Sequence, residues 1–150
     1  MPIDPQRLGR DLWLLDPPDR GDDRRSGGDL HLTLRPSGVD LATIEGVDNL
    51  AQALLLRFLT PRGALAELGH PEYGSRLFTL IGELNNETNR NRARLYVLEA
   101  LSQEPRIGRV VAVSVTTNRR AAPTRIDIAI SAIVAETEQV LNLVFPFFLS

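Results

Sequence analysis

With 150 residues, 43% of them apolar, the chain has the size of one domain and enough hydrophobic material for one core. A formal net charge of -2, with acidic and basic residues interspersed, supplies no field for holding a nucleic-acid backbone. The lack of cysteine removes disulfides and thiolate metal sites and fits folding in a reducing cytoplasm; no export pattern opens the chain and no apolar run is long enough to span a membrane.

Residues 1–29 read as a flexible N-terminal arm. Their one apolar island, Leu12-Trp13-Leu14-Leu15, precedes a stretch rich in Pro, Gly and charge that cannot build a core. Trp13 either folds back onto the domain or docks on a neighbouring subunit.

The domain proper is expected over 30–150. Leu30, Leu32 and Leu34 alternate with polar residues, and Arg35-Pro-Ser-Gly38 turns the chain toward Val39 and Leu41, which predicts a short hairpin. The period then changes. Leu50, Leu54 and Phe58 on one line, with Ala51, Leu55 and Leu59 beside it, predict a helix over about 48–60, with Asp48 as its cap and Pro61 as its stop.

A loop punctuated by Gly69, Pro71 and Gly74 follows, in which Tyr73 is the ordering side chain, and then a short helical piece near 75–81. Ala93, Tyr96, Val97, Ala100 and Leu101 predict a second long helix, with Thr88 as its cap. Leu95 and Leu98 widen that stripe, so burial on more than one side is expected. The helix ends at Glu104-Pro105.

Three strands complete the chain: Val111, Val113 and Val115 on a face of the first, Ile126, Ile128 and Ile130 of the second, Leu141, Leu143, Phe145 and Phe147 of the third. Short linkers at 118–124 and 135–139 predict an antiparallel meander. Val110, Ala112, Ala129, Ala132, Val140 and Val144 make its second face apolar as well, so that either helices or another chain cover it. The fold class is α+β, with helices packed on a small antiparallel sheet.

The sequence gives no sign of catalysis. Two histidines without paired ligands, His31 and His70, do not make a metal site. A nucleophile elbow and a phosphate-cradling glycine turn are both missing. The glutamates Glu67, Glu72, Glu83, Glu87 and Glu99 read as solvated surface charge, since a two-carboxylate glycosidase needs an acid raised by an apolar cleft. No cofactor is implied.

Glu104-Pro105-Arg106-Ile107 differs from these. A rigid corner joins the buried helix to the first meander strand, with opposite charges on either side of the proline. The pair either braces the corner or presents a carboxylate and a guanidinium fork to another subunit.

Three motifs in order, Phe58-Leu59-Thr60-Pro-Arg-Gly63, His70-Pro-Glu-Tyr-Gly-Ser-Arg-Leu77 and Ala100-Leu-Ser-Gln-Glu-Pro-Arg-Ile107 before a valine-rich strand, resemble the baseplate wedge proteins that act as sheath initiators. Contractile phage tails, type VI secretion and extracellular contractile injection systems share that family. The chain departs from the family pattern at Ala64, often glutamate there, and at Gln103, often tryptophan.

The resemblance implies a domain like the sheath protein's own strand-exchanging, handshake domain, whose open edges accept strands from sheath subunits. It implies a structural role without enzymatic activity. Other baseplate wedge subunits and the sheath protein would be partners, with tube or spike-hub proteins as further candidates, all in a large symmetric assembly. Glu104, Pro105 and Arg106 would face the wedge core, and Tyr73, Val140, Asn142 and Val144 are further candidate protein-binding residues, the last three on the final strand, which would accept sheath strands. The alternatives are a binding module outside any injection machine and a muramidase-like enzyme.

Overall fold

The computed structural model describes residues 8–15 and 31–149. Two compact units divide within the first helix, one ending at Ala53 and the other starting at Leu54. Both are built from helices and small antiparallel sheets, the α+β class that the periodicities predict.

In the first unit, β1 (Arg10–Leu12) pairs antiparallel with β4 (Thr43–Glu45), and Arg10 meets the Glu45 carboxylate at 2.6 Å. The expected hairpin is β2 (Leu32–Arg35) and β3 (Gly38–Leu41), with Leu32 opposite Leu41 and Leu34 opposite Val39. Its turn needs Gly38, whose φ is +129°. The helix α1 (Gly46–Leu59) starts two residues before Asp48, which sits in the first turn where a carboxylate favours the helix dipole.

Two buried polar side chains of α1 hold the preceding chain. Asn49 donates to the Leu8 carbonyl (3.0 Å) and Gln52 to that of Leu12 (2.9 Å), while the Gln52 oxygen accepts from the amides of Leu14 (2.9 Å) and Leu15 (3.2 Å). Trp13 folds back, stacking on His31 at 4.6 Å and donating its indole N–H to the Leu15 carbonyl. The rest of the expected arm lies outside the described residues.

In the second unit the loop after α1 holds two short 3-10 turns, Ala66–Leu68 and Leu77–Leu80. The second falls where a short helical piece is expected. The next helix, α2 (Glu87–Ser102), is capped by Asn86, whose extended backbone lets its side chain accept from the Asn89 amide at 2.8 Å. Thr88, the expected cap, lies inside the first turn, where it can no longer precede the orphan N–H groups. Ala93, Val97, Ala100 and Leu101 are buried as expected, but Leu95 is 62% exposed, so the stripe is one face and not two.

The meander is β5 (Ile107–Thr116), β6 (Arg125–Val134) and β7 (Val140–Phe148), antiparallel in that order. Ile126, Ile128, Ile130, Leu141, Leu143 and Phe145 line its buried face, where Phe58 stacks on Phe145 at 5.3 Å, and α2 packs on β5. Three residues leave their expected faces. Ala132 continues the buried row of β6, and Val110 opposite it follows. A register shift between Val110 and Ala112 turns Val111 outward, 57% exposed, while Val113 stays buried. The helices thus cover one face of the sheet. The face carrying Val140 and Val144 is exposed at those positions.

Candidate functional site

Main-chain bonds clamp the first two motifs together. Ser75 donates its amide to the Thr60 carbonyl (2.9 Å) and accepts at its own carbonyl from Arg62 N (3.0 Å), while its hydroxyl donates to the Phe58 carbonyl (2.6 Å). Such an approach leaves no room at Gly74. A side chain there would meet the Thr60 carbonyl oxygen at 2.5 Å, and φ is +106°. The clamp brings Tyr73 next to the end of α1, where the Arg57 guanidinium lies 4.6 Å from its ring centre.

Arg57 leads to the third motif. Glu104 is only 5% exposed at the corner between α2 and β5. Arg106 donates to one of its oxygens through Nε (2.7 Å) and to the other through Nη2 (3.1 Å), a forked pair, and Arg57 Nη2 adds a third bond at 3.3 Å. Burial alone would push the Glu104 carboxyl up; the hydrogen bonds and charge of Arg106, with the charge of Arg57, outweigh it and hold the group below the usual carboxylate range. The hydrogen bond to Glu104 in turn raises Arg106 against the opposing effect of burial. The Arg57 Nε is buried without a hydrogen-bond partner among the described residues.

The arrangement holds one carboxylate ionised and one guanidinium in a fixed direction. Glu104 itself faces inward. Pro105 is exposed and the Arg106 side chain partly so, which leaves these two as the outward part of the corner. Sequence reasoning missed Arg57, whose only signal is a basic residue in the last turn of an apolar helix.

It also missed a neighbouring network. Arg62 pairs with Glu72 and, at 2.6 Å, with Glu99, and Arg76 lies 3.6 Å from Glu99 and 4.6 Å from the Tyr96 ring centre. Glu72 and Glu99, expected as plain solvated charge, thus tie the motif loop to α2.

Val140, Asn142 and Val144 are not part of the corner. They alternate with the buried Leu141, Leu143 and Phe145 along β7, and Val140 and Val144 are 58% and 52% exposed. Because, among the described residues, β7 pairs with β6 alone, its far side is an edge of this sheet. Pro146, which has no N–H, fits that edge, since its nitrogen belongs to the same alternate set as those of Val140, Asn142 and Val144. The odd-numbered set turns inward: the Leu149 amide donates to the Thr124 carbonyl. The Arg106 carbonyl accepts from Ala135 just after β6, so the corner and Val140 lie at the same end of the sheet on opposite edges.

A family model described as contractile injection system sheath initiator matches residues 26–136. The chain belongs to this sheath initiator family. The match spans the hairpin, both helices, all three motifs, β5 and β6, and it carries a structural role in a contractile injection system. A crystal structure of a Geobacter sulfurreducens protein, provisionally termed a tail lysozyme, superposes with a TM-score of 0.58 at 28% identity, over 69% of this chain and 90% of that one. No curated protein matches the chain.

Among the described residues no three His, Cys, Asp or Glu side chains are grouped to hold a metal, and no helix is long and apolar enough to cross a membrane.

Proposed function

We propose that this sheath initiator family member is a non-enzymatic baseplate subunit that joins the wedge core to the first sheath ring and templates sheath assembly by accepting a sheath strand on β7. The observation that carries the reading is the open edge of β7, where the main-chain groups of Val140, Asn142 and Val144 face outward beside an unbroken buried row. An added strand would gain ladder hydrogen bonds there, and the alternation of side chains would fix its register.

The corner supports the wedge contact. Pro105 and Arg106 are the part that a neighbouring wedge subunit would touch, and Glu104, with Arg57 and Tyr73 behind it, acts through Arg106 by fixing its direction. Tube or spike-hub proteins would reach the subunit through the same assembly, which forms in the cytoplasm.

A muramidase role finds no support in the acid groups. A general acid needs a carboxyl raised toward neutrality, whereas Glu104 is pulled the other way by two arginines, and Glu72 and Glu99 share Arg62.

The test is co-purification of a tagged copy with the products of neighbouring genes, followed by negative-stain microscopy. Deleting β7 would also strip Leu141, Leu143 and Phe145 from the core, so Asn142→Pro is the cleaner variant, removing one outward N–H and no inward one. Sheathed tubes with the unaltered chain, and baseplates lacking sheath with Asn142→Pro, are the expected outcome. Normal sheath on the variant would overturn strand acceptance, and a tagged chain that brings down no tail components would favour a binding module outside any injection machine.

A further inference from the structure

At the end of the meander opposite the corner, Asn85 joins three segments. Its side-chain amide donates to the Thr117 hydroxyl (2.7 Å) and to the Pro123 carbonyl (2.9 Å), pinning the β5–β6 turn to the residues before α2. Two guanidinium groups from different elements then converge on it. Arg119, from the turn, donates to the Asn85 carbonyl at 2.8 Å, and Arg90, from α2, donates to the Asn85 side-chain oxygen at 2.9 Å and to the same carbonyl at 3.4 Å. Each fork keeps donors that no described residue accepts.

Two cations gathered on one neutral carbonyl repel each other unless an anion joins them. None is supplied by the described residues. Neither arginine has an ion pair among the described residues, nor do Glu83 and Glu87, the closest carboxylates in sequence. Arg94, one turn beyond Arg90, and Arg120, beside Arg119, are exposed and equally without a carboxylate. Elsewhere in the unit Arg57, Arg62, Arg76, Arg106 and Arg125 each face a carboxylate, whereas Arg92, in the second turn of α2, bonds only to the Asn89 side-chain oxygen, and Arg109, near the other end of β5, has no ion pair among the described residues. Cations without an ion pair among the described residues are thus concentrated at this end of the unit, with Arg109 the exception at the other.

We infer that Arg90 and Arg119, flanked by Arg94 and Arg120, form a docking site for an acidic segment of a partner protein, separate from the corner and from the β7 edge. Guanidinium forks take carboxylates in a planar, bidentate manner, and a few of them suit a short acidic stretch. A nucleic-acid backbone would demand a long basic track, which a chain of net charge -2 with interspersed acids does not provide. The ten-residue strands β5 and β6 put about 30 Å between this end and the corner, so both sites can be filled at once.

The test is fluorescence anisotropy of a labelled deca-glutamate peptide titrated with the full chain at low and at physiological salt. Saturable binding is expected, weakened about tenfold or more in Arg90→Gln/Arg119→Gln, as for the loss of one or two charge-assisted contacts, and unchanged in Arg109→Gln, which alters an arginine on β5. Because Arg90 and Arg119 also brace Asn85, Arg94→Glu/Arg120→Glu is measured in parallel, as it reverses charge without touching that residue. Weakening in this second pair supports the site even where the first pair unfolds. Failure of the unaltered chain to bind, or full affinity in the second pair, overturns the proposal, as does tighter binding of inorganic phosphate or duplex DNA than of the peptide.

Discussion

Glu104 is the residue on which the corner turns. It is nearly buried, yet two arginines keep it charged, so neutralising it leaves a pair of guanidinium groups facing each other. Glu104→Ala is expected to cost about 3–5 kcal/mol, the range for breaking one side of a buried ion pair, measured by chemical denaturation. The pH dependence follows from the same contacts. The folded carboxyl titrates below its unfolded value of about 4.3, so its stabilisation is complete above that pH and is lost as the pH falls through the folded value. Melting curves of the unaltered chain should therefore fall more steeply below about pH 4.3 than those of Glu104→Gln, which has no proton to take up there; parallel acid limbs would show that Glu104 is not held low. Gly74 is a second such position, since any side chain would strike the Thr60 carbonyl. Gly74→Ala should destabilise by about 2 kcal/mol or more in the same assay.

At the level of elements, α2 depends on a cap, Asn86, that directly follows Asn85 in the chain. Asn86→Ala is expected to lower stability by about 1 kcal/mol, the usual loss for a helix cap, whereas Thr88→Ala should change it by no more than a few tenths; equal effects would contradict the cap assignment. β7 has a double task, with one alternate set of residues in the core and the other along an open edge. Both long helices and all three meander strands were legible from spacing alone, because each carries its own hydrophobic period over nine or more residues. The cap of α2 was not, since Asn86 and Thr88 are both acceptable cap residues and only the backbone conformation chooses between them. Nor was the outward turn of Val111, which depends on the register shift where β5 meets β6; the inward face of Ala132, by contrast, follows β6's own alternation two residues beyond Ile130.

For the molecule as a whole, exposed apolar surface is the consequential property. Leu32 and Leu34 of the hairpin face Leu41 and Val39 across the strands, and all four are exposed, as are Val140 and Val144 beside the β7 edge. The isolated chain is expected to self-associate with rising concentration, seen by light scattering, and to be relieved by a wedge partner. A sharp monomer at high concentration would count against open edges as sticky surfaces.

The sequence by itself determined the fold class, the elements with a strong period and, through its three motifs, the family. Those are properties of local spacing and of residue identity, and neither needs tertiary contacts to be read. The tertiary structure alone decided which charges meet. Arg57 lies 47 positions before Glu104 and Arg119 lies 34 positions after Asn85. Nothing local marks such partners, because an ion pair or a hydrogen bond between side chains is set by distance in space, which only the packing of helices on the sheet establishes.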